Sequence, residues 1–262
     1  MNLRRSSVIF KRNLYEMRHT PAAVFDLLYW PFFDLLAWGL LASFIQKGDV
    51  SLPVPIAFLI GAALLWNVLY RVQNGITLAF LVETWTNNVI GLLASPMTPA
   101  EFITGAMLWT AAQMCVQLTI MGMLAWLVFH FGLLAIGPAL VPFMGALMLF
   151  AVAMSFVILG VVLRVGHGAT AMAWGLAGVV QPLSAVYYPV SILPKWAQII
   201  AHAMPPSHVF EAMRAVLAHH PVPWGELYTA LALDAVYLGL AAWFCSRMFQ
   251  TLRSRGYVTR YA

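Results

Sequence analysis

The run ALVPFMGALMLFAVAMSFVILGVVL, residues 139–163, contains no ionisable side chain from end to end. A helix needs about 20 consecutive apolar residues to cross a hydrocarbon core roughly 30 Å thick. Backbone in lipid must satisfy its own hydrogen bonds, and a helix does so internally. Gly137-Pro138 opens a turn before the run and Arg164 closes it. This stretch reads as a membrane-crossing helix. Working outward, runs of the same kind occupy about 21–45, 53–81, 101–131, 169–188 and 224–250. The expectation is an all-α membrane protein with six transmembrane helices, forming one domain over residues 1–262.

Composition points the same way. Of 262 residues, 62% are hydrophobic and 9% charged, whereas a soluble domain carries roughly 25% charged residues. The basic residues crowd both ends: Arg4, Arg5, Lys11, Arg12 and Arg18 at one, Arg247, Arg253, Arg255 and Arg260 at the other. Lys and Arg accumulate on cytoplasmic loops, so both termini are expected in the cytoplasm and the polar turn 46–51 outside. With the ends so assigned, no basic face remains for nucleic acid. Residues 1–20 form either an interfacial helix, with Leu3, Ser7, Phe10, Leu14 and Met17 recurring at helical spacing, or a disordered basic tail. The first apolar run holds Asp26 and Asp34 and lacks a small-residue exit, so no cleavable leader is expected. Cys115 and Cys245 lie inside apolar runs, where packing is the simpler role.

Two stretches break the pattern of spans joined by turns. The first is 83–97, cytoplasmic by the charge argument, whose Trp85, Val89, Leu92 and Leu93 share one side of a short helix ending at Ser95-Pro96. Thr98-Pro99-Ala100-Glu101 then supplies an N-cap, a proline at the first helical position and a capping-box Glu, so a new helix begins there. A short, bounded cytoplasmic helix suits a soluble partner that must push on a membrane domain; an ordinary surface loop is the alternative. The second stretch is 189–220. Its prolines exclude one continuous helix, and two short amphipathic helices, 193–203 and 207–218, hinge at Pro205-Pro206. Each is too short to span. They are expected to form an external re-entrant hairpin before the last span.

These stretches carry a family resemblance. Glu83, Trp85, Ser95, Pro96, Glu101 and Gly105 resemble the coupling segment of ABC type-2 permeases. Pro182, Tyr188, Pro189, Leu193, Pro194, Trp196, Pro205, Glu211 and Arg214 are similar to that family's last-loop signature. The resemblance implies the membrane subunit of an ATP-driven exporter in the bacterial inner membrane, a homodimer of permease chains on which two ABC ATPase subunits dock. It further implies that Glu83, Trp85, Thr86, Asn87, Asn88, Leu92, Ser95 and Pro96 couple the ATPase to the membrane domain. The chain has no G-x-x-x-x-G-K-[ST] loop to cradle phosphates, so ATP and Mg are expected in the partner, with no cofactor in this chain.

Within the spans, a carboxylate in hydrocarbon is costly and marks a functional candidate. Asp34 lies midway along the first span, with Arg71 a possible partner, and Asp234 lies in the last. Asp34, Tyr29, Trp30, Phe33, Tyr187, Tyr188 and Trp196 are candidates for a path taken by an amphipathic, lipid-linked or glycan substrate. Structural pairing and interface anchoring are the competing roles. His202, His208, His219 and His220 match no zinc spacing, and no nucleophile, base and acid converge for catalysis. Two other classes stay open: a proton-coupled transporter using Asp34 and Asp234, and a membrane-embedded transferase.

Overall fold

The computed structural model describes residues 3–47, 56–86, 88, 98–165 and 170–254. Among them every regular element is helical. The helices are α1 (Leu3–His19), α2 (Pro21–Lys47), α3 (Ile56–Trp85), α4 (Pro99–Phe129), α5 (Leu140–Val165), α6 (Thr170–Leu183), α7 (Lys195–Ala203), α8 (Pro205–Leu217) and α9 (Trp224–Ser254). By length and composition, 4 segments among the described residues qualify to cross a membrane: Pro21–Ile45, Glu101–Phe129, Leu133–Val165 and Trp224–Thr251. Helix α3 matches them in length at 30 residues but carries Asn67, Arg71, Gln73 and Asn74 among its apolar side chains.

That composition puts α3 at the centre, where neighbouring helices can satisfy its polar groups. It packs against α2, α4, α5, α6 and α8. Phe58, Leu65, Leu69 and Ile76 meet Phe143 and Leu147 of α5 and Phe210 of α8 in the main core. Helices α5 and α9 share the most extensive contact of any pair. Gly160 permits it: a Cβ there would lie 2.5 Å from the Phe244 ring. Small residues let helices approach where lipid gives no hydrophobic drive to pair them. Trp126, Val141, Leu240 and Trp243 stay exposed on the outside, as apolar surface turned toward a membrane does.

The local signals before α4 act as their spacing implies. Thr98 Oγ1 accepts from the Glu101 amide at 3.3 Å while Glu101 Oε2 accepts from the Thr98 amide at 3.0 Å, with Pro99 in the first turn. Before α5, Gly137 takes a φ of 67° inside the 3-10 segment Leu133–Ala139, a conformation glycine adopts without steric cost.

Several boundaries differ from the sequence reading, among them that of the second hairpin helix, which starts at Pro205 rather than 207. Helix α3 continues past residue 81 to Trp85, because Glu83 and Thr84 are buried rather than facing water. The span read at 169–188 stops as a helix at Leu183. Pro182 offers no N–H there, and Ala185, at φ 49°, turns the chain. At 14 residues, α6 is about 21 Å long. The first hairpin helix starts at Lys195 rather than 193, since Leu193 caps the 3-10 turn Val190–Ile192.

Candidate functional site

The candidates of the 83–97 segment begin in the last turn of α3. Glu83 is 2% exposed. Its Oε1 lies 2.5 Å from Arg12 Nη2 of α1, and its Oε2 accepts from Asn88 Nδ2 at 2.6 Å. The Asn88 amide also donates to the Glu83 carbonyl at 2.8 Å. One carboxylate thus ties α1, the end of α3 and the chain beyond it into a single body. Helix α1 is held from the other side by α4: Phe10 meets Trp109 edge-on at 5.4 Å, and Gly105 lets Ser6 and Ile9 approach so closely that a Cβ there would come within 2.7 Å of Ile9. Trp85, two residues on, faces outward and is 43% exposed. Thr86 bonds back to the Val82 carbonyl at 2.8 Å. Asn87, Leu92, Ser95 and Pro96 lie outside the described residues.

A second polar cluster sits in the bundle interior. Asp34 Oδ2 of α2 accepts from Asn67 Nδ2 of α3 at 2.8 Å. Gln117 Nε2 of α4 reaches Asn67 Oδ1 at 3.5 Å, and Arg71 Nε donates to Gln117 Oε1 at 2.7 Å. Arg71 also donates from Nη2 to the Leu27 carbonyl at 3.2 Å. The direct Asp34–Arg71 pairing suggested by the sequence is therefore replaced by a chain of four side chains across three helices. The geometry explains it: Asn67 and Arg71 lie four apart on one face of α3, Asn67 reaching Asp34 and Arg71 the Leu27 carbonyl, while Gln117 bonds to both. A cavity of about 10 Å³ beside Asn67 and Gln117 leaves room for roughly one water, so the cluster is a brace in this conformation.

The brace predicts the effect of cutting it. Gln117→Leu leaves a half-buried guanidinium N–H without its acceptor, which costs about 1–2 kcal/mol for a charged donor. Thermal denaturation in detergent should show a lowered midpoint, with Gln117→Glu much milder. A Gln117→Leu protein that melts like the wild type would remove the brace.

The aromatic candidates separate into two groups. Tyr187 stacks on Trp38 of α2 at 3.6 Å and accepts from Gln181 Nε2 at 3.2 Å, one helical turn from Asp34. Tyr29, Trp30 and Phe33 instead line the outer side of α2, with Tyr29 4.8 Å from Phe33. Tyr188 spends its hydroxyl on the Pro182 carbonyl at 2.6 Å, and Trp196 is exposed on α7. Asp234 is 1% exposed, with neither oxygen bonded among the described residues.

The hairpin docks through Arg214 of α8. Its Nη2 donates to the carbonyls of Ala185 at 2.5 Å and Tyr188 at 2.7 Å, its Nη1 meets Glu211 at 2.6 Å, and its guanidinium lies 4.4 Å from the Phe58 ring centre. The sequence reading named Glu211 and Arg214 within the last-loop signature but missed the two carbonyls. It also missed Arg12, Asn67, Gln117 and Trp38 as site residues. Polar residues recurring along one face of an otherwise apolar helix were the available signal for Asn67 and its neighbours.

No curated protein matches the sequence. A family model described as ABC-2 type transporter matches residues 6–218, from α1 through the end of the hairpin. With that match over most of its length, the chain belongs to the ABC-2 type transporter family, as a permease component of the membrane.

Proposed function

We propose that this chain is the membrane subunit of an ATP-driven exporter, worked by a separate ABC ATPase that docks at the cytoplasmic end of α3. The observation that carries the reading is the buried Glu83 carboxylate held by Arg12 and Asn88, with Trp85 exposed beside it. A partner that pushes on an aromatic anchor needs a rigid seat, and exposed Trp side chains are favoured anchors at interfaces. In this reading α1 lies along the cytoplasmic face and α2, α3, α4, α5, α6 and α9 are six crossings. Both termini are cytoplasmic, and α7 and α8 dip into the outer leaflet.

Two copies of the chain pair about a two-fold axis, giving each of two ATPase subunits its own docking site. The assembly sits in the bacterial inner membrane and moves an amphipathic, lipid-linked or glycan-type molecule outward. An apolar groove of about 390 Å³, lined by Val72, Met107, Gly145, Met148, Leu149 and Leu231, suits the apolar part of such a cargo. Substrate-path roles for Asp34, Tyr187 and Trp38 follow from their meeting near the outer half of α2.

Affinity purification of the full chain from its own membranes in mild detergent tests this. The wild type should bring down an ATPase carrying a P-loop, and Trp85→Ala should reduce its recovery at least tenfold, about 1.4 kcal/mol, with insertion unchanged. Equal recovery with Trp85→Ala removes Trp85 from the interface. Purification of the wild type with no ATPase at any detergent strength overturns the exporter reading.

A further inference from the structure

Outside the brace and the cytoplasmic junction, a second cavity of about 380 Å³ opens between the hairpin and the start of α9. This is the size range of small-molecule sites. Its polar lining includes Gln198 and His202 of α7, His208 and Glu211 of α8, and Glu226 of α9.

Most donors in this lining are already engaged, the exposed His202 ring and Ser191 hydroxyl being the exceptions. Gln198 Nε2 donates to the Leu193 carbonyl at 2.8 Å and also approaches the Ser191 carbonyl at 3.3 Å. The ring nitrogens of His208 are taken by Glu226 Oε2 at 2.6 Å and the His202 carbonyl at 2.9 Å. The Ser207 hydroxyl turns back to the carbonyls of Ala201 and Met204. Acceptors remain. Glu211 uses only Oε1, for the Val190 amide at 2.8 Å and for Arg214. Glu226 uses only Oε2. No partner among the described residues engages Glu211 Oε2, Glu226 Oε1 or Gln198 Oε1.

A lining in which most donors are spent while three acceptors remain, two of them carboxylate oxygens, asks for a ligand that brings donors and positive charge. We infer that this cavity binds a protonated primary amine, its three N–H groups directed at Glu211, Glu226 and Gln198. A neutral polyol also brings donors, but hydrogen bonds between charged partners are roughly twice as strong, and only a cation offsets the desolvation of a carboxylate. The amine can belong to a free small molecule, to the ethanolamine headgroup of a lipid or to the transported cargo. The inference does not rest on the export reading, because the chain alone should bind.

The experiment uses the full chain in phosphatidylcholine nanodiscs at fixed ionic strength. Thermal denaturation is followed with ethylammonium, tetramethylammonium or ethanediol added. Ethylammonium should raise the melting midpoint saturably; tetramethylammonium, which has charge but no N–H, and neutral ethanediol should not. Glu226→Gln should weaken the ethylammonium effect at least tenfold while keeping the wild-type elution profile. Replacing the lipid with phosphatidylethanolamine separates the sources. A midpoint raised in wild type and not in Glu226→Gln identifies the headgroup, while a response to ethylammonium alone identifies a soluble or cargo amine. An equal response to tetramethylammonium, an equal response in Glu226→Gln, or no response to ethylammonium or phosphatidylethanolamine overturns the assignment. The comparison of ammonium ions on the wild type holds even if Glu226→Gln disturbs folding.

Discussion

In the proposed exporter, Arg12→Ala is expected to lower ATP-driven transport about a hundredfold while the chain still inserts. The substitution leaves the Glu83 carboxylate, buried at the end of α3, with Asn88 as its remaining side-chain partner. Stranding one member of a buried ion pair costs about 3 kcal/mol, and each 1.36 kcal/mol is a factor of ten. The penalty falls on the arrangement in which α1 and the end of α3 move as one body. Glu83→Gln should be milder, since a neutral amide can keep the Asn88 contact without a buried charge. The ordering gives a sharper test than either variant alone. Arg12→Ala with Glu83→Gln should recover part of the activity that Arg12→Ala loses, because the unpaired charge is gone. Stimulated ATP hydrolysis in reconstituted vesicles is the readout. A double variant no better than Arg12→Ala, or an Arg12→Ala protein with wild-type activity, would show that the pair does not transmit the partner's motion.

What the sequence made legible was local, and what it hid was tertiary. Thr98, Pro99 and Glu101 are adjacent and their chemistry is complete among themselves, so the start of α4 follows from spacing. The two hairpin helices were legible for the same reason: Pro194 and Pro205 set their starts within one or two residues of the reading. The end of α3 was not, because Thr84 and Glu83 look like loop residues until α1 covers them. Asn67 and Gln117 are 50 positions apart, and nothing in either neighbourhood names the other. The same holds for Arg214, whose partners Ala185 and Tyr188 offer only carbonyls, groups that every residue has. Asp34, singled out as a carboxylate within the first span, is half-buried, but its partner was assigned by charge. The bundle instead supplied an amide, with Arg71 reached through Gln117.

Arg214→Lys is expected to undock the hairpin of α7 and α8, although the charge is kept. Burial pulls the Arg214 pKa below its ordinary value while Glu211 pulls it back up. The guanidinium fork serves two carbonyls and a carboxylate at once; a lysine ammonium is a single point on a flexible stem and does not reproduce that geometry. Losing these bonds should cost about 3 kcal/mol, lower the melting midpoint and expose the Lys195–Trp196 bond to trypsin. The backbone supplies an internal check. Ala185, whose carbonyl Arg214 holds, has a φ of 49°, a left-handed conformation that costs a non-glycine residue about 1 kcal/mol or more. Glycine adopts it freely. Ala185→Gly should therefore restore part of the stability lost in Arg214→Lys by easing the turn that the clamp holds. A rescue of this kind cannot come from surface charge, since Ala185→Gly changes none. An Arg214→Lys protein that melts and resists trypsin like the wild type would mean the hairpin is held by its apolar contacts with α5 and α9 alone.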